Sequence, residues 1–179
     1  MTTGGTGRFL RTHLTIDPEA FIAPNATLVG EVRVGRESSI WYAAVLRGDM
    51  EPILVGRRSN IQDGTIVHVD VNMPVRIGDG VSIGHRAVIH GCTVEDGCLI
   101  GMGSTILDGA RIGRGSFVGA GALVTPGTVI PPGSLVLGAP AKVKRPVTEQ
   151  EREQIATGAA HYVELARRYL AGGGESRLP

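Results

Sequence analysis

Aliphatic residues recur every six positions along this chain, a period that is neither the 3.6 of a helix nor the two of an amphipathic strand. Val94, Ile100, Ile106, Ile112, Val118, Val124, Ile130 and Val136 are all Ile or Val. The same step runs through Ile22, Leu28, Val34, Ile40 and Leu46, then Val55, Ile61 and Val67, then Ile77, Ile83 and Ile89. Short insertions around residues 50–54 and 70–76 separate these runs. Four residues after most of the aliphatics sits a small side chain: Ala26, Ser38, Ala44, Ser59, Thr65, Ala87, Ser104, Ala110, Ser116 and Ala122. Glycine often follows the aliphatic directly or shortly after, as in "IGRGSF" and "VGAGAL".

A six-residue unit has room for one very short strand and one bend. Such a strand cannot bury its aliphatic alone. Stacking each strand on the next, about 4.8 Å apart, buries a continuous column. Three strands and three bends close a triangular turn of about 18 residues. The small side chain fits inside the corner, and glycine supplies the tight backbone. An ordinary β-sandwich of alternating strands does not predict a strict six-step over eight units. Over about residues 20 to 140 the pattern resembles the hexapeptide-repeat proteins, which are left-handed parallel β-helices. The left hand comes from that resemblance alone, because general chirality rules favour right-handed crossovers. The fold expected is an all-β solenoid followed by one helix.

The repeat stops before "VTEQEREQIATGAAHYVELARRYL", where Thr148 and Glu151 form a capping-box signature. Ile155, Ala159, Tyr162, Ala166 and Tyr169 lie at helical spacing on one apolar face, which can lie along the outside of the solenoid. "GGG" at 172–174 ends the helix. The expected organisation is a loose lead-in over 1–19, the β-helix over 20–146, the helix over 147–171 and a flexible tail over 172–179.

Eighteen basic and 17 acidic residues leave a net charge of +1, which gives no electrostatic case for nucleic acid or an anionic membrane. At 4% aromatics, base-stacking platforms are not expected either. The apolar runs are too short to span a bilayer, and the first residues lack a signal-peptide core, so a cytoplasmic protein is expected. Cys92 and Cys98 are compatible with one disulfide, but two thiols in such a chain fit reduced packing residues better.

"VHVD" and "IGHRAVIHG" carry three of the five histidines, with 17 residues from His68 to His85 and 5 from His85 to His90. If the two insertions add no face, Leu46, Val67 and Ile89 begin the same face on three successive turns. Arg47, His68 and His90 then stack in an outer column, with neighbours about 5 Å apart. His68 and His90 can share one ion. His85 lies one face earlier and points elsewhere, while a catalytic metal typically takes three protein ligands and keeps a position open. Three prisms packed side by side would let His85 of a neighbour complete the set. The plain alternative is three unrelated surface histidines.

The stretch "LRGDMEPILVGRRSNIQDGTIVHVD…VRIGDGVSIGHRAVIHGCTVEDGCLIGMGSTILDG" resembles the γ-class carbonic anhydrases and their short bacterial homologues. The spacing of His68, His85 and His90 matches that family's three metal ligands, two from one subunit and the middle one from its neighbour. The resemblance implies a homotrimer that hydrates CO2 to bicarbonate with zinc, for which iron or cobalt could substitute. A zinc in an open three-histidine site lowers the pKa of water to about 7, an effect established for carbonic anhydrases in general. Gln62 would orient the water or CO2. Arg47 and Asp63 match a pair that joins across the subunit interface and holds bicarbonate. Asp49 and Asn60 match interface and supporting residues, although "SNIQDG" also reads as a plain turn. Tyr162 matches a tyrosine that reaches the site, and it also reads as a core tyrosine on the helix's apolar face.

The chain departs from the family prototype where that protein carries proton-relaying glutamates. Met50 follows Asp49, with Glu51 one place later, and the segment after His68 is short, with Asp70 as its nearby carboxylate. Slow turnover or another shuttle is therefore expected. Two other readings stand. "VLGAPAKVKRPV" at 136–147 resembles the segment that ends the β-helix in hexapeptide acyltransferases, and a metal-using acyl-CoA thioesterase is a variant of that reading. A non-catalytic metal-binding or assembly trimer is the other.

Overall fold

In the computed structural model, residues 13–172 are described. The six-step aliphatics stack in register with parallel partners on three faces. Ile22, Ile40, Ile61, Ile83, Ile100, Val118 and Val136 form one column. Leu28, Leu46, Val67, Ile89, Ile106 and Val124 form the second. Ile16, Val34, Val55, Ile77, Val94, Ile112 and Ile130 form the third. The fold is a parallel β-solenoid of hexapeptide repeats, consistent with the left-handed β-helix expected. From Ile40 onward nearly every member is fully buried, whereas Ile22 and Leu28 in the first coil are only partly covered.

The corners explain the small residues and the glycines. Ser38, Ala44, Ser59, Thr65, Ala87, Ser104, Ala110, Ser116 and Ala122 are buried inside them. Several of their hydroxyls satisfy carbonyls of the next coil: Ser38 Oγ donates to Gly56 O at 2.6 Å and Ser59 Oγ to Gly78 O at 2.7 Å. Cys98 fills the same kind of corner, with its Sγ 3.2 Å from Gly113 O. Both cysteines are free and buried, and burial pushes the Cys92 thiol up to about 12 and the Cys98 thiol up to about 11. They are packing residues rather than a disulfide.

The first insertion, around residues 50–54, is extended rather than looped. Val45–Val55 is one continuous strand whose start pairs with Ile66–His68 and whose end pairs with Val75–Ile77. The chain rounds this corner by a register shift between Gly30 and Val32. Gly30 has φ +79, and a Cβ there would lie 2.0 Å from Gly48 O, so two glycines let successive coils touch backbone to backbone. The second insertion is a turn closed by an Asp70–Met73 bridge. Neither adds a face. The solenoid also begins earlier than expected, because His13–Ile16 pairs with Glu31–Val34 inside the segment read as a lead-in. The remaining lead-in, 1–12, and the tail at 173–179 lie outside the described residues.

At the far end, Lys142–Pro146 runs antiparallel to Ser134–Leu137 and leads the chain to helix α1, Glu149–Leu170. Thr148 caps α1, and the reciprocal bond from its backbone N–H to Glu151 completes the capping box. The Arg145 guanidinium and the Thr148 backbone N–H hold the Glu151 carboxyl down at about 2. Ile155, Ala159, Val163 and Ala166 are buried, and α1 lies across the first of the three faces. An aromatic cluster seals it: Trp41 meets Phe21 at 5.0 Å, Tyr169 at 5.2 Å and Tyr162 at 5.5 Å between ring centroids.

One glycine tests the packing of coil on coil. A Cβ on Gly101 would lie 2.4 Å from Ala120 N, and the clash is with backbone that cannot rotate away. Gly101→Ala is expected to destabilise the protein by about 1–3 kcal/mol through overpacking. Thermal unfolding at fixed protein concentration measures this, and an unchanged melting temperature would contradict the stacking.

Candidate metal centre

Parallel pairing aligns Arg47 with His68 and His68 with His90 in three successive coils. The column inferred from the six-step is therefore present on the outer surface of the second face. His68 Nδ1 faces His90 Nε2 at 2.9 Å, and the ring centroids are 4.9 Å apart. Each ring is held from its other nitrogen. His68 Nε2 lies 3.2 Å from Asp49 Oδ1, and His90 Nδ1 lies 2.5 Å from Asp108 Oδ1. Arg47 Nη1 donates to the second Asp49 oxygen at 2.5 Å.

These contacts set the charges. Burial and then the neighbouring Arg47 cation push the His68 imidazolium down from its usual value, so the neutral ring is favoured. Burial alone would raise the Asp49 carboxyl, but hydrogen bonds from Arg47, from its own backbone N–H and from His68 outweigh it and leave it below the usual range. A neutral imidazole with one nitrogen held by a carboxylate and the other turned outward is the form that ligates metal.

His85 occupies the corner between the first and second faces. Its Nδ1 lies 2.8 Å from Asp63 Oδ2, so it too has one nitrogen held by a carboxylate. The other Asp63 oxygen accepts the Tyr42 backbone N–H at 3.1 Å. Arg47 and Asp63 are therefore each paired with a different residue within this chain. Among the described residues, no three His, Cys, Asp or Glu side chains converge on one point within the chain.

The residues fit a divalent metal chemically. At Zn–N distances of about 2.0 Å and tetrahedral angles, two ligating nitrogens lie about 3.3 Å apart. The His68 and His90 nitrogens are already at 2.9 Å, so a movement of a few tenths of an ångström would admit an ion between them. Imidazole donors suit zinc, iron and cobalt alike.

Gln62 is buried beside His85. Its Nε2 donates to Asn60 Oδ1 at 3.0 Å, and its Oε1 accepts the His85 backbone N–H at 3.2 Å. Asn60 Nδ2 in turn donates to Ser82 Oγ at 2.8 Å. "SNIQDG" is thus more than a turn: Asn60 and Ser82 hold the Gln62 amide in place. One amide hydrogen of Gln62 is left over after the bond to Asn60. Tyr162 is half-buried against Trp41, and burial followed by the nearby Asp63 charge raises its phenol. It is both a packing tyrosine and a neighbour of the Asp63–His85 pair. Glu51 and Asp70 instead brace the 70–73 turn, accepting the Asn72 and Val71 backbone N–H groups at 3.2 and 2.7 Å.

Two residues of the centre were not singled out from the sequence. Ser82 precedes Ile83 as Asn60 precedes Ile61, so the repeat itself pairs them. Asp108 follows Ile106 by two places as Gly91 follows Ile89, so it lies one coil beyond the residue after His90. The coil spacing carries the Asn60–Ser82 pair directly, whereas Asp108 faces a glycine in register and reaches His90 on the diagonal.

The sequence family described as bacterial transferase hexapeptide (six repeats) matches residues 74–108 and 91–126. An Arabidopsis thaliana protein named gamma carbonic anhydrase 3, mitochondrial, is 58% identical over 158 residues, covering 85% of this chain and 61% of that protein. The chain thus spans about three fifths of that relative's length. A Methanocaldococcus jannaschii protein named probable carbonic anhydrase is 54% identical, covering 81% of this chain and 91% of its own. A Bacillus cereus crystal structure described as a putative acetyltransferase is 44% identical, with a TM-score of 0.88, covering 89% of this chain and 93% of that one.

The Asn60–Gln62 support can be tested without metal. Ser82→Ala leaves the buried Asn60 amide N–H without its acceptor, which costs about 1–3 kcal/mol. Urea unfolding at fixed concentration is expected to report that loss, and no loss would mean that Ser82 does not carry the bond.

Proposed function

Because the chain belongs to the γ carbonic anhydrase family of hexapeptide-repeat proteins, we propose that it catalyses the reversible hydration of CO2 to bicarbonate. The site is a metal held between subunits of a homotrimer, by His68 and His90 of one subunit and His85 of the next. The observation that carries this reading is the 2.9 Å approach of His68 Nδ1 to His90 Nε2, with a carboxylate on the far nitrogen of each ring. His85 has the same carboxylate support and one nitrogen free for a ligand outside its own chain.

A bound divalent ion, zinc or else iron or cobalt, supplies a Lewis acid that brings the pKa of water toward neutrality. The chain's own residues do the rest. Gln62 turns its remaining amide hydrogen to the reacting oxygen, and the bonds to Asn60 and to the His85 backbone keep that amide from rotating. Arg47 supplies the cation that holds a bicarbonate oxygen, with Asp49 fixing its guanidinium. Asp63 orients His85 and reaches Arg47 of the adjacent subunit. Tyr162 keeps its proton at neutral pH, since burial and the nearby Asp63 charge both raise its phenol.

Proton export is the weak step. Glu51 and Asp70 accept backbone N–H groups of the 70–73 turn instead of standing free as shuttles. Turnover is therefore slow and depends on added buffer as proton acceptor. No helix among the described residues is long and apolar enough to cross a membrane. The plant relative is named mitochondrial, so family membership alone carries no single compartment, and the cytoplasm remains the compartment we propose.

The name of the Bacillus cereus structure favours a second reading, acyl transfer, or thioester hydrolysis at the same site. A transferase needs one general-base histidine and an acyl-CoA groove, and it has no use for two histidines stacked nitrogen to nitrogen. Stopped-flow CO2 hydration on metal-loaded protein separates the two. About one ion per chain, hydration that rises with buffer concentration, and loss of both ion and hydration in His90→Ala are expected. Acetyl-CoA consumption without hydration would favour the acyl reading. Bound metal with neither activity would leave a metal-holding assembly trimer.

A further inference from the structure

Asp108 stands one coil beyond Gly91, in the turn that ends the histidine face, between Leu107 and Gly109. Its Oδ1 lies 2.5 Å from His90 Nδ1. The carboxylate occupies a niche that only glycine leaves open, since a Cβ on Gly91 would lie 2.3 Å from Asp108 Oδ1. The backbone beneath is fixed as well. Gly109 N–H donates to Gly91 O at 2.8 Å, and Gly91 N–H donates to His68 O at 3.0 Å. Residues 68, 91 and 109 are thereby locked into three stacked coils, with the carboxylate above and the two imidazoles beside it.

We propose that Asp108 is a positioning residue of the metal centre. It accepts the Nδ1–H of His90 and so keeps the lone pair on Nε2, aimed at His68 Nδ1. Without it, the neutral ring is free to carry its proton on either nitrogen and to turn about its side-chain bonds, and the pair of nitrogens no longer converges. Asp49 also holds Arg47, and Asp63 also holds the Tyr42 N–H, so replacing either disturbs more than a ring. Asp108 is the cleanest of the three carboxylates to replace. About a third of its side chain is exposed, so its loss leaves no buried gap. This inference rests on the reading of His90 as a metal ligand.

The test is zinc affinity, measured by competition with a chromophoric chelator on trimeric protein. Asp108→Ala is expected to bind zinc about 10–100-fold more weakly, the range for removing a carboxylate behind a ligating histidine. Melting temperature and trimer assembly are expected to stay unchanged. Asp108→Asn keeps a carbonyl acceptor for the Nδ1–H and is expected to recover part of the loss. Gly91→Ala displaces the carboxylate, so it is expected to weaken zinc binding in the parent chain but add little in an Asp108→Ala background. The hydrogen-bonded Nδ1–H proton of His90, read by NMR on metal-free protein, is expected to disappear in Asp108→Ala. Wild-type affinity in Asp108→Ala would overturn the role of Asp108 and leave the metal centre standing. A loss of affinity matched by lost melting temperature, equal in Ala and Asn, would overturn it as mere destabilisation. A wild-type protein that binds no zinc would remove the metal centre and this proposal with it.

Discussion

Each inward aliphatic is buried only because another lies about 4.8 Å above and below it, so the coils have to stay in register along the whole prism. A slip of one residue would turn the Ile and Val column out to water and bring polar neighbours into a core with no partners for them. The pairing of Leu46 with Val67 and of Val67 with Ile89 is therefore enforced by the interior. The outer surface inherits it. Arg47, His68 and His90 are each one residue past a member of that column, so core packing determines that the two imidazoles meet.

The meeting would be unfavourable if both rings were charged. Two imidazolium groups whose nitrogens approach to 2.9 Å repel, and burial with the Arg47 cation already favours neutral His68. In the reading proposed here, the carboxylates behind the rings turn this crowding into a ligand pair. They leave one nitrogen of each ring outward with its lone pair, which is what a divalent ion takes. The same arrangement recurs at His85 with Asp63, at a corner where the ring cannot join the others in its own chain. Three similarly supported histidines, divided two and one between adjoining faces, are what a site shared by packed prisms requires.

Much of this is legible in the sequence, because the repeat converts sequence distance into geometry. The six-step gave the three faces, the corner residues and the Arg47–His68–His90 column. The capping box at Thr148 and Glu151 and the free, buried state of Cys92 and Cys98 were readable by the same means. The bulged corner at Gly30 and Gly48 was not, because an insertion that stays extended looks like a loop when only periodicity is read. The strand at His13–Ile16 was missed because one short rung shows no period of its own. Ser82 is readable only when polar residues are compared coil by coil, and Asp108 is not readable even then, because its register partner is Gly91 and it meets His90 on the diagonal.

If the histidines of one site come from two chains, variants that each lack one of them complement each other in a mixed trimer. His85→Ala and His90→Ala each remove every site from a homotrimer made of that variant alone. When the two are unfolded together and reassembled, each mixed trimer has one interface where an intact His68–His90 pair meets an intact His85. Neither variant alone is expected to hold zinc, and mixed trimers are expected to regain about one ion per trimer. Mixed trimers that remain metal-free, or a His85→Ala homotrimer that binds zinc like the parent, would contradict a site shared between chains.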